Sequence, residues 1–180
     1  MSVGIIGKSA PELRVSFWID ETGARREPLK LADLGPGYKV LYCFQDWCPG
    51  CHSRGFPTLK RLVEQLSDNG FGFAVIQTVF EGADQNTLEK LRVNQETYDL
   101  RVPFGHDPAP AGRRYPTVME DYRTAGTPWF IVINPAGEVA YNDFQLDTGR
   151  FAAALEREAI PDGAKNYVSH ERSFPSLRRS

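Results

Sequence analysis

Two cysteines two residues apart, in Trp47-Cys48-Pro49-Gly50-Cys51, are the side chains of this 180-residue chain best suited to covalent chemistry. The reactive form of a cysteine is the thiolate, and a local positive field lowers its pKa from ~8.5 to between ~3.5 and 7.5. The pair lies where a compact β-prone run, Tyr38 to Phe44, gives way to apolar steps of three and four at Phe56, Leu59, Val63 and Leu66. A thiol at that strand-to-helix junction faces the positive end of the helix dipole and unpaired backbone N–H groups, both of which favour thiolate. Pro49 suits the first helical turn, where its missing N–H has no acceptor to serve. One turn brings two such residues within the Cα separation of about 5.5–6 Å that a disulfide prefers. Cys48, on the rim, is placed to attack, and Cys51, one turn further in, to resolve.

A second feature lies far along the chain, in Thr124-Ala125-Gly126-Thr127-Pro128, directly before the strand-like Trp129 to Ile133. An X-Pro bond opening a strand is a place for a cis peptide. A cis bond there would offer the backbone groups of Thr127 to an extended substrate and set the Pro128 ring beside the thiols. Other readings of the cysteines compete. Cys48 and Cys51 could be unreactive core thiols, or half of a zinc site completed by His52, His106 or Cys43. Cys48-Pro49-Gly50-Cys51-His52 also matches the C-x-x-C-H string of haem attachment. Cys43, among Leu41, Tyr42 and Phe44, reads as a small buried hydrophobe. His106-Asp107 reads as a turn or cap pair, Trp129 as a core-covering strand residue, and Tyr115, Tyr122 and Arg123 as ordinary surface or helix positions.

The elements that must position these residues follow from periodicity. Leu13, Val15, Phe17 and Ile19 alternate with polar neighbours as a strand does, and Glu21-Thr22-Gly23 reads as a turn. After the buried strand and its helix, for which Asn69-Gly70 is a stop, comes a second core strand, Phe73 to Phe80. Asn86, with Glu89 three residues on, fits the cap of a helix carrying Leu88 and Leu91. A short extended piece, Val102 to Phe104, precedes an irregular Gly/Pro stretch from Gly105 to Pro116 and a short helix at Thr117 to Tyr122. Trp129 to Ile133 and Glu138 to Phe144 flank Asn134-Pro135-Ala136-Gly137 as a hairpin. Asp147 fits the cap of a last helix with Phe151 and Leu155 inward, ended by Pro161. The order predicts an α/β fold, a mixed sheet with helices on both faces.

Composition bounds the rest. A hydrophobic content of 41%, with 11 Phe, 7 Tyr and 3 Trp, excludes a disordered chain. No apolar run approaches the ~18 residues of a membrane helix. With 21 Lys+Arg against 23 Asp+Glu, the net charge of −2 argues against a nucleic-acid binder. Three cysteines are too few for a disulfide-stapled secreted scaffold. The first ten residues lack the apolar core of a signal peptide, so a cytoplasmic location is expected. Residues 1–160 read as one domain and 161–180 as a tail, mostly flexible.

Trp-Cys-Pro-Gly-Cys after a buried strand, followed by Gly126-Thr127-Pro128 and a hairpin, resembles the thioredoxin superfamily. Ala10-Pro11-Glu12-Leu13 through Leu31-Ala32-Asp33-Leu34 resembles the N-terminal hairpin of TlpA/ResA-type thiol–disulfide oxidoreductases and their AhpC/TSA-like redoxin relatives. The resemblance covers about residues 8 to 159. It implies a thioredoxin-like fold with an N-terminal β-hairpin, Cys48 as nucleophile, Cys51 as resolving thiol, a Cys48–Cys51 disulfide on oxidation, Pro128 as the cis-proline, and Trp47 shielding the pair. It implies protein disulfide substrates, a thiol reductant, no cofactor and no metal. The chain departs from the pattern at three places. Tyr42 stands where thioredoxins carry a buried acid, Arg54 where many TlpA-type proteins have Glu, and Pro57 lies six rather than five residues after the second cysteine. His52, Asp46 or solvent would then take the Cys51 proton. A second reading is a peroxiredoxin-like thiol peroxidase, because Pro49-Gly50-Cys51-His52 resembles a Pro-Gly-Cys-Thr segment that would make Cys51 peroxidatic. A third is a binding or chaperone module with a vestigial dithiol.

Overall fold

The computed structural model describes residues 3–159, and the expectations for the tail and for Pro161 lie outside them. The described residues fall into two compact units that meet at Leu146 and Asp147. The first holds a seven-stranded sheet in the order β2-β1-β5-β4-β3-β6-β7. Its strands are β1 (Phe17–Ile19), β2 (Arg25–Arg26), β3 (Lys39–Phe44), β4 (Gly72–Val79), β5 (Phe104–Pro108), β6 (Trp129–Ile133) and β7 (Val139–Asp143), with helices α1 (Phe56–Leu66), α2 (Glu89–Thr97) and α3 (Thr117–Tyr122). β4 pairs parallel with β3 and β5, while β6 is antiparallel to β3, so the sheet is mixed as expected. The second unit holds α4 (Thr148–Ala159), whose Asp147 carboxylate accepts the Arg150 N–H at 2.9 Å as the predicted cap.

Alternation along β3 divides the core. Leu41 and Cys43 face one way, into a buried cluster with Ala74, Ile76, Trp129 and Ile131 that α3 joins through Val118 and Tyr122. Tyr42 and Phe44 face the other way, where Phe56 of α1 meets both rings edge-on at 5.1 and 4.9 Å and Phe130 packs on Tyr42 at 4.9 Å. Aromatic pairs of this kind add about 0.5–1.5 kcal/mol each beyond the area they bury. Helices therefore cover both faces.

Several local expectations are corrected. The N-terminal hairpin is present, but its first strand starts at Phe17, not Leu13, because β5 offers partners only to Phe17, Trp18 and Ile19. Leu13 and Val15 still bury their side chains. The stretch expected to be irregular after Gly105 begins as strand: β5 runs through Pro108, and Gly105 pairs with Trp18, where a Cβ would lie 2.9 Å from the indole. Asn86 does not cap α2, whose N-terminal boundary is Leu88, and Leu88 is exposed. The buried positions of α1 are Phe56, Leu59 and Leu62, a face rotated from Val63 and Leu66. Tyr122 is core, its hydroxyl donating to Pro11 O. Asp107 does act as a cap, across space: its carboxylate accepts the N–H groups of Thr117 and Val118 at 3.1 and 2.8 Å.

Candidate active site

β3 ends at Phe44, and after four intervening residues the chain turns into helix at Pro49. The connection is pinned from the side. Asn86, fully buried, accepts the Asp46 N–H at 2.7 Å and donates to Glu81 O and Gly82 O at 3.0 Å each. The Asp46 carboxylate is taken by Lys90 at 3.0 Å and Asn94 at 2.8 Å. His52 is likewise committed, its Nδ1 against Tyr98 Oη at 2.7 Å and its Nε2 against Asp46 O at 2.5 Å. Both side chains expected to take the Cys51 proton thus serve instead to hold the loop. With both ring nitrogens engaged, His52 also has no free atom for haem iron.

The thiols sit at the mouth of this loop. Cys48 keeps 7% of its surface exposed and Cys51 none. The Cys51 N–H donates to Cys48 Sγ at 3.3 Å, the arrangement that stabilises negative charge on that sulfur. Cys48 Sγ in turn donates to Thr127 O at 3.6 Å, which brings the distant Thr127-Pro128 pair onto the thiols, and the bond between those two residues is cis. A Cβ on Gly50 would meet Pro128 Cδ at 3.4 Å, so the ring lies against the turn between the cysteines. Trp47 is 42% exposed and covers Gly82, beside the pair. Four residues singled out in the sequence, Cys48, Cys51, Thr127 and Pro128, are therefore brought to one spot, while the Trp47 ring lies against Gly82. Among the described residues no cluster of three or more His, Cys, Asp or Glu side chains could hold a metal ion.

Burial pushes the Cys51 thiol up to about 12, and its bond to Cys48 adds to the rise, while the Gln45 backbone and the Thr127 side chain pull partly the other way. Cys43, deeper in the sheet, is also raised, chiefly by burial.

The helix bearing the thiols carries a feature the sequence did not reveal. Cys51–Gly55 is a π-helical turn, and the Phe56 N–H rather than that of Gly55 reaches Cys51 O. Tyr42 Oη also donates to this carbonyl, at 3.1 Å. A Cβ on Gly55 would lie 2.0 Å from Tyr42 Oη, so only glycine lets the helix come this close. A π turn inserts one residue, which accounts for Pro57 lying six instead of five positions after Cys51.

The comparisons agree with this geometry. The AhpC/TSA family model matches residues 6–142. The crystal structure of the thioredoxin-like superfamily protein SPOA0173 is similar at a TM-score of 0.72 and 27% identity, over 83% of this chain and 94% of that one. A thiol-disulfide isomerase from Corynebacterium glutamicum matches at 0.69 and 28% identity, over 82% and 95%. The thioredoxin domain of thiol-disulfide oxidoreductase BVU-2223 from Bacteroides vulgatus shares the fold at 0.63 and 18% identity, over 87% and 99%. No curated protein gives a significant match.

Proposed function

The chain belongs to the AhpC/TSA family with a thioredoxin-like fold, and from that premise we propose that it is a thiol–disulfide oxidoreductase acting on protein substrates through Cys48 and Cys51. The observation that carries the reading is the asymmetry of the pair: Cys48, buried but for 7% of its surface, accepts a backbone N–H at its sulfur, and its partner one turn behind is fully buried.

The Cys48 thiolate attacks one sulfur of a substrate disulfide. A Cys48–substrate S–S bond forms, the substrate's own S–S bond breaks, and the departing sulfur takes up a proton. Cys51 then loses its proton and attacks Cys48 Sγ, closing the Cys48–Cys51 disulfide and releasing the second substrate thiol. Two electrons pass from enzyme to substrate, and an external thiol reductant returns them. Run backwards, the same steps oxidise a dithiol. Thr127 and Pro128 form the ledge over which the substrate strand lies, and Trp47 screens the mixed disulfide from water. A reductase of this kind works in the reducing cytoplasm.

The peroxidase reading would make Cys51 the attacking sulfur, yet that thiol has no exposed surface and burial raises its pKa. One pair of variants separates the readings. Cys51→Ser accumulates a Cys48-linked mixed disulfide with a disulfide-bonded protein such as insulin, and Cys48→Ser accumulates none. Rapid sulfenate formation on Cys51 by hydrogen peroxide, still present in Cys48→Ser, would instead make the protein a peroxidase. Insulin reduction at the uncatalysed rate, with no trapped complex, would leave a binding module.

A further inference from the structure

Beside Pro128 lies a groove of about 180 Å³, floored by Pro128, Phe130, Phe144 and Leu146 and edged by Arg54 and Arg61. None of its lining residues is acidic. The nearby Asp143 turns its carboxylate back onto the Phe144 N–H at 2.6 Å. Neither arginine has an ion pair or hydrogen bond among the described residues, whereas Arg14 and Arg26 are paired with carboxylates. Arg54 also reaches the reactive loop, since a Cβ on Gly50 would lie 3.9 Å from its Nη2. Two unneutralised guanidinium groups on a chain of net charge −2 form a local field opposed to the charge of the whole molecule.

We infer that this groove selects substrates whose reactive cysteine is flanked on that side by carboxylates: an acidic, extended peptide segment. The inference rests on the oxidoreductase reading and adds the substrate class. Arg54, in the π turn, and Arg61, in α1, are seven residues apart along one continuous helical segment, about 10 Å at roughly 1.5 Å per residue. An extended peptide covers about 10 Å in three residues. The field therefore fits one carboxylate within a residue or two of the cysteine joined to Cys48 and a second about three residues beyond it. Guanidinium forks take carboxylates in two parallel hydrogen bonds, while the apolar floor accepts the intervening side chains. The fit is electrostatic at the rim and so acts mainly on association rate and salt dependence.

Two synthetic peptides test this, each carrying one cysteine in a mixed disulfide with 2-mercaptoethanol and differing only in two Glu or two Lys spaced three residues apart. Reduced wild-type protein should reduce the Glu peptide about tenfold faster than the Lys peptide at low salt, the preference collapsing at high salt. Arg54→Gln/Arg61→Gln should abolish the preference, and Arg54→Glu/Arg61→Glu should reverse it, each read as the ratio of the Glu-peptide to the Lys-peptide rate within one variant. Equal rates for the two peptides in wild type, or a preference that survives charge reversal, overturns the groove assignment with the oxidoreductase intact. Reduction of every peptide no faster than by Cys48→Ser overturns the oxidoreductase reading itself, and the groove's role with it.

Discussion

Reactivity of Cys51 is the sharpest consequence of the site's geometry. In Cys48→Ser the attacking sulfur is gone and Cys51 must react alone. The Cys48 contribution to its raised pKa goes too, but burial, the larger cause, stays. At about pH 8 a thiol of pKa about 12 is ionised to about one part in ten thousand, against roughly a quarter for an ordinary thiol near ~8.5. The deficit is about 2,000-fold. A more basic thiolate is intrinsically more nucleophilic, with a Brønsted slope of about 0.4–0.5, which returns a factor of about 25–55. With the wild-type value as a ceiling for the variant, ionisation alone slows reaction with a pyridyl disulfide by up to about 40–100-fold relative to free cysteine, and full burial slows it further. The rate should also climb with pH without levelling off through pH 9.5. Peptide mapping by mass spectrometry distinguishes Cys51 from Cys43, and unfolding in guanidinium chloride should make both react at once. Reaction within about fivefold of free cysteine in the folded variant, or a plateau below pH 9.5, would refute the buried-resolver argument.

Gly55→Ala should lower stability by about 1–3 kcal/mol despite alanine's better helix propensity, because its Cβ collides with the immobile Tyr42 ring. Adding Tyr42→Phe removes the closest contact, so in urea titrations the double variant should lose less than the sum of the singles, and strict additivity would count against the contact. His106, whose Nδ1 meets Gln77 Oε1 at 2.8 Å, has its pKa lowered by burial, so the unfolded chain takes up the proton first. Its stabilising contribution is therefore complete above the unfolded value of about 6.5 and is lost as pH falls below it, towards the lower folded value. The stability difference between wild type and His106→Asn should shrink from pH 7.5 to 5, and a difference independent of pH would sink the idea.

The reactive centre was legible because its chemistry is local. Cys48, Pro49 and Cys51 follow a strand and open a helix within a few residues, and the change of apolar period marks the junction. Thr127 and Pro128 were legible for the same reason, as an X-Pro step opening a strand. What the sequence concealed depends on contacts between distant segments. Asn86 has the spacing of a capping box, Asn86 to Glu89, and nothing local says that its side chain is needed by the Asp46 N–H forty residues earlier. Gly105 and Pro108 read as strand breakers, and only the Trp18 indole across the sheet explains why a glycine belongs there. Arg54 stood out only as a departure from a resembling pattern; its lack of a partner and its place on the groove emerge once Pro128 and Phe144 are folded beside it.

The residue at position 42 shows how one substitution recasts the logic of the site. A carboxylate there could accept a proton from Cys51. Tyr42 instead is held well above its usual pKa, first by burial and then by the neighbouring thiols, so it remains a protonated donor across the working range of pH. Its hydroxyl is spent on Cys51 O, the carbonyl that also accepts the Phe56 N–H of the π turn, and it steadies the Cys51 backbone without touching the thiol proton. The groups that favour a Cys51 thiolate are the Gln45 backbone and the Thr127 side chain, neither of which is a base. Resolution must therefore wait for the moment when substrate bonding removes the Cys48 thiol from its hydrogen bonds and lowers the barrier to ionising Cys51. The first step is controlled by access to sulfur 48, and the second by deprotonation of a buried sulfur. In the proposed reaction, that division predicts quick capture of a disulfide and slow release of the mixed disulfide.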